Sequence, residues 1–180
     1  MKTNLFRKDE SIQAILYILE QLHGATDMHK VCKILYYADQ LHLSRYARCI
    51  TGDVYIAMKY GPVPSIINDI LKAVRGDSYF SGDEFKPYFC FINKYMLKQI
   101  QKPNLDYLSD TDVECLNEAI TLCKDKSFEQ LTQMSHGMAY CHTTPDRTMS
   151  FKDILREAGD DEEYIEYATR KMKMENIVFA

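Results

Sequence analysis

The sequence predicts an α+β fold that is mainly α-helical: a compact helical domain carrying a small antiparallel sheet or hairpin. Three observations predict it. Apolar residues recur at helical spacing in successive stretches along the chain. Short runs of β-forming residues, bounded by Gly, Pro and Asn, interrupt them between residues 54 and 100. The 180 residues are 46% apolar and 27% charged, enough to bury a core and too apolar for a disordered chain.

The elements follow in order. Ile12, Ile15, Leu16, Leu19 and Leu22 share one face of a helix over 9–23, which Gly24 stops. Asp27 caps a second helix over 28–44, with Val31, Leu35, Ala38 and Leu41 or His42 inward. Lys30, Lys33, Tyr37, Gln40 and Ser44 make its polar side, and Tyr37 is expected to be exposed. The two helices read as a hairpin.

Thr51-Gly52-Asp53 is a turn signal and Val54–Met58 a short strand. Gly61-Pro62-Val63-Pro64-Ser65 is expected to break that strand and lead into a helix over 65–74, because each proline fixes its own φ and disfavours helix before it. Arg75–Lys86 is a loop, and Tyr88–Ile92 and Tyr95–Ile100 pair around Asn93-Lys94. Ser109 opens a further helix with Val113, Leu116, Ile120 and Cys123 inward. Ser127 and Gln130 form a capping box for the next, ending near Gly137. Ser150 caps a helix to Ala158, and a last, acid-started helix covers 160–174.

Composition narrows the function. Residues 1–100 carry thirteen Lys/Arg against ten Asp/Glu, and 101–180 nine against sixteen, so the net −4 is unevenly spread. A nucleic-acid binder needs a larger cationic surplus, so DNA binding is disfavoured. No apolar run is long enough to span a bilayer, and the N-terminus is charged where a signal peptide would be apolar. Six cysteines without a CxxC pair fit free, mostly buried thiols in a cytoplasmic protein.

No GxGxxG, P-loop, HExxH or nucleophile elbow occurs, so no cofactor and no catalytic residue is expected. His136, Cys141 and His142 match no common zinc spacing, and no metal is expected. His136 is expected to finish its helix as a cation at the C-terminal dipole. Asp39 sits on an apolar arc and must be paired inside the domain (with His42, Lys59 or a backbone group) or face a partner. Tyrosines 36, 37, 46, 55 and 60 cluster about it, and tyrosine serves both core edges and interfaces.

The run KILYYADQLHLSRYARCITGDVYIAMKYGPVPS, residues 33–65, resembles the Panacea-domain, or SocA-like, antitoxin family, also labelled phage-associated GepA-like. The family pattern is a Lys-Leu-Leu-Tyr-Tyr-Ala-Asp type helix, a Thr-Gly-Asp turn, then an aromatic with Gly-Pro-Val. Here these are Lys33–Asp39, Thr51–Asp53 and Tyr60-Gly61-Pro62-Val63. Residues 108–120 and 127–140 extend the likeness across most of 10–145. Tyr140 departs from it, standing where the family often has Trp.

The resemblance implies an antitoxin that neutralises a cognate protein toxin, encoded beside it, by direct binding. It implies an antitoxin domain over 1–145; residues 146–180 match the family less clearly and are expected to form a helical extension packed on the same domain. Tyr37, Asp39, Tyr55, Lys59 and Tyr60 are the candidate toxin-binding residues, and Gly61, Pro62 and Pro64 the structural turn. The alternatives are a DNA-binding regulator and a phage or mobile-element protein using the same surface on another partner.

Overall fold

The computed structural model describes residues 6–178, with side chains through residue 174. The fold is α+β and mainly helical, as the sequence indicates. Its axis is α2 (Met28–Tyr46), buried without a break from Val31 to Asp39. α1 (Lys8–Gln21), α4 (Asp110–Cys123), α5 (Phe128–Ser135) and α7 (Phe151–Ala158) surround it. The expected polar side of α2 is therefore wrong at two positions: Lys33 is fully buried and Tyr37 only 9% exposed. Amphipathic spacing describes a helix with one neighbour, whereas α2 is enclosed on nearly every side.

The caps form where the sequence places them. Asp27 accepts from the Lys30 N–H, and Ser109–Asp112 and Ser127–Gln130 make reciprocal capping boxes. Ser150 precedes α7, but its side chain makes no capping bond. The chain leaves α1 through two left-handed residues, His23 (φ 64) and Gly24 (φ 92). It then adds a strand the sequence reading missed, β1 (Ala25–Asp27). β4 (Phe89–Phe91) and β5 (Met96–Gln99) pair antiparallel, and β1 completes the sheet in the order β1-β5-β4.

The Gly-Pro-Val-Pro segment does not break the sheet. It is itself a strand, β3 (Gly61–Pro64), paired antiparallel with β2 (Tyr55–Met58) through a tip of Lys59 and Tyr60. Proline favours extended backbone, so it continues a strand wherever no N–H is required. The Ser65 N–H to Val54 carbonyl bond sets the phase, and Pro62 and Pro64 occupy the positions that do not donate to β2. α3 (Ser65–Arg75) follows directly.

The opposite edge of β2 is covered by residues 146–149. Ala57 N–H donates to the Arg147 carbonyl, and Met149 N–H to the Tyr55 carbonyl. Beyond them α7 packs on α2, and α8 (Glu162–Val178) packs on α7. Leu155, Ile165, Ala168 and Met172 enclose Leu43 and Ala47 at the C-terminal end of α2.

Candidate functional site

The motif residues of the sequence separate into a buried network and an exposed tip. Asp39 is 2% exposed, and its carboxylate accepts from the Ile50 and Thr51 N–H groups and from the Thr51 and Tyr55 hydroxyls. Burial raises its pKa, against the pull of those four bonds. Its partners are local backbone and hydroxyl groups, neither His42 nor Lys59. Asp53, also buried, accepts from Val54, Ile66 and Ile67 N–H, so its carboxylate caps the first turn of α3. Thr51 joins the two by accepting from Asp53 N–H. The cleft beside this network, between Tyr36, Asp39, Tyr55, Phe151 and Ile154, has no room for a water molecule.

Lys33 lies under the hairpin. Its ammonium donates to the Pro62 carbonyl at 2.8 Å, and burial lowers its pKa to about 8. A Cβ built on Gly61 would meet Ser135 Oγ and come within 2.8 Å of Lys33 Nζ. Gly61 has φ +100, so close approach and backbone conformation both require glycine there.

The tip above Lys33 is exposed. Tyr60 is 47% exposed and packs edge-on against Phe128, 43% exposed, at 5.1 Å between ring centres. The His29 ring lies 4.2 Å from that of Phe128, and its Nε2 lies 3.3 Å from the Tyr60 carbonyl. Burial and the nearby Lys33 charge lower the His29 pKa. Lys59 stands over the Tyr60 ring at 5.1 Å. Three elements, the hairpin, α2 and α5, thus converge on one aromatic face.

Of the five expected binding residues, Lys59 and Tyr60 are exposed while Tyr37, Asp39 and Tyr55 are buried. Phe128 and His29 went unnoticed in the sequence. An apolar first residue of a helix, straight after the cap Ser127, was the available signal for Phe128.

Two further features correct the sequence reading. His136 ends α5 as expected, and burial and the Lys33 charge lower its pKa, which works against a cation there. Its ring stacks flat on Tyr140 at 4.1 Å, and the Tyr140 hydroxyl donates to the Met58 carbonyl at the base of the tip. Glu157, on α7, accepts from Tyr36 Oη, Gln40 Nε2 and Ala139 N–H. It thereby caps the short helix α6 (Met138–Cys141), which sequence reading also missed. Among the described residues, no group of three or more His, Cys, Asp or Glu is placed to hold a metal ion, and no helix is long and apolar enough to cross a membrane.

Residues 31–139, more than half of the chain and running from α2 into α6, match the family model described as antitoxin SocA-like, Panacea domain. Comparison with curated proteins and with solved structures returned no match.

Proposed function

The chain belongs to the SocA-like Panacea antitoxin family, and from that premise we propose that it neutralises a cognate protein toxin by direct binding in the cytoplasm, without catalysis. The observation that carries the binding surface is the aromatic face at the β2–β3 tip. Tyr60 and Phe128 are large apolar side chains about half exposed, brought together from separate elements and accompanied by Lys59. Exposed aromatic patches are frequent anchors of protein interfaces. Tyr37, Asp39 and Tyr55 contribute by holding α2 and the hairpin in place.

Direct binding is favoured over DNA recognition by the setting of α2. Its buried run from Val31 to Asp39, with Lys33 inside, leaves no continuous cationic face to lie in a major groove. Four of the six cysteines are buried, which accords with a reducing compartment.

The test is co-expression with the product of the adjacent reading frame. Rescue of growth, together with a stoichiometric complex of the purified proteins, is the expected result. Rescue without a complex, or a shift of upstream DNA by the chain alone, would overturn the reading.

A further inference from the structure

A second hairpin tip repeats the chemistry of the first. Lys94 stands over the Tyr95 ring at 5.6 Å, as Lys59 stands over Tyr60. Both tips are fastened to consecutive residues at the start of α2. Met28 N–H donates to the Tyr95 carbonyl at 2.9 Å, and His29 Nε2 lies 3.3 Å from the Tyr60 carbonyl. Arg75 braces the second tip, donating to the Lys94 carbonyl at 2.9 Å with its guanidinium 5.4 Å from the Phe91 ring centre. Tyr95 is 63% and Ile92 60% exposed, so apolar surface is displayed on both sides of the helix start.

The charges at this end are of one kind in excess. Among the described residues no ion pair engages Lys30, Lys59, Lys94 or Lys124. Lys30 instead donates to the backbone carbonyl of Lys124. Of the nearby carboxylates, Asp27 caps α2 and Asp77 pairs with Arg75, leaving Asp125 and Glu129. At the far end of α2 the balance is opposite: Arg45 is held by both Glu114 and Glu118.

We propose that the two tips form one surface and that the toxin segment it takes is acidic. Carboxylates of that segment meet Lys59 and Lys94, and its apolar side chains cover Tyr60, Tyr95 and Phe128. This rests on the reading of the chain as a toxin-binding antitoxin.

The experiment titrates the purified, catalytically inactivated product of the adjacent reading frame against wild type, Lys59→Glu, Lys94→Glu and Tyr95→Ala, at low and high salt. All three positions are exposed, and melting temperatures serve as the control for folding. Each lysine reversal is expected to weaken binding about tenfold at low salt, with the gap narrowing as salt rises. Tyr95→Ala is expected to weaken it at both. If Tyr95→Ala and Lys94→Glu bind like wild type, the second tip is excluded while direct binding stands. Tighter binding by the lysine reversals would mean a basic segment and would overturn the proposal. Failure of wild type to bind at all would remove the underlying reading, and this proposal with it.

Discussion

The Tyr55 hydroxyl donates to Asp39 Oδ2 at 2.7 Å inside the core, tying strand β2 to the middle of helix α2. With the Ile50 and Thr51 amides and the Thr51 hydroxyl, it gives one carboxylate four donors. Removing an acceptor from buried donors costs more than the bonds themselves contribute, on the order of 1–3 kcal/mol for each group stranded. Asp39→Ala should therefore lose about 3 kcal/mol or more of stability, read as a lowered denaturant midpoint. An Asp39→Ala protein as stable as wild type but unable to bind toxin would return Asp39 to the interface.

Gly61 is the tightest point of the hairpin. An added side chain there faces Lys33 and Ser135 and must hold φ +100. Gly61→Val should cost about 2–4 kcal/mol, the sum of backbone strain and displaced neighbours. Gly76, also at positive φ (+91) but with nothing near its missing Cβ, is the control: Gly76→Ala should cost only the backbone share, about 1 kcal/mol. Equal losses at the two sites would show that Lys33 and Ser135 yield readily.

Lys33 makes stability depend on alkaline pH. Its folded pKa is lowered to about 8 from an ordinary value near 10.5. The unfolded chain binds the proton more tightly than the folded one, so stability rises with pH between those values and the full penalty applies below about 8. Chemical denaturation of wild type and Lys33→Met at pH 7 and pH 10 isolates the effect, since other groups titrate in both. Wild type should gain on the variant by roughly 2–3 kcal/mol over that interval. A constant difference would mean that Lys33 is solvated more than its position implies.

Much of the fold was legible in the sequence because its cues are local. Asp27, Ser109 and Ser127 each cap a helix by accepting from the backbone N–H three residues on, and the β4–β5 pair needed only two runs of β-formers. What escaped was set by distant partners. Lys33 and Tyr37 look exposed until α4, α5 and α7 close around α2. β3 reads as a breaker until β2 lies beside it, and Glu157 caps a helix eighteen positions away. In the candidate site the motif marked the segment and included Lys59 and Tyr60, without showing that it folds as a hairpin. Phe128 and His29 join them only through tertiary packing.

Residues 146–180 should prove inseparable from the rest. Their removal takes the strand-like partner from Tyr55 and Ala57, the Glu157 cap from α6, and the cover from Leu43 and Ala47. Ile154, Leu155 and Ile165 are each at most 3% exposed, and at about 2 kcal/mol apiece their loss alone is on the order of 6 kcal/mol. That approaches the whole stability of an ordinary domain, about 5–15 kcal/mol. The 1–145 fragment should show no cooperative melting transition. A fragment that melts cooperatively near the full-length temperature would make the extension an independent unit.

Stability and toxin affinity should part company between Tyr37 and the aromatic tip. Tyr37 is buried and packs edge-on against Tyr36 at 5.2 Å, so Tyr37→Ala opens a cavity and should cost about 3 kcal/mol of folding stability. Tyr60 and Phe128 are about half exposed and rest chiefly on one another and on His29. Tyr60→Ala and Phe128→Ala should each change stability by less than about 1 kcal/mol, as surface changes do. If either side chain anchors the toxin, its truncation should weaken binding by about 2 kcal/mol, roughly thirtyfold. Because the two rings touch, the double variant should lose less than the sum of the singles. Lys59→Ala should act differently, slowing association in a salt-dependent way more than it speeds dissociation. Calorimetric or interferometric titration with toxin, beside thermal melts of the same samples, separates these effects. Should Tyr60→Ala and Phe128→Ala both bind and rescue like wild type while remaining folded, the aromatic tip is not the toxin surface.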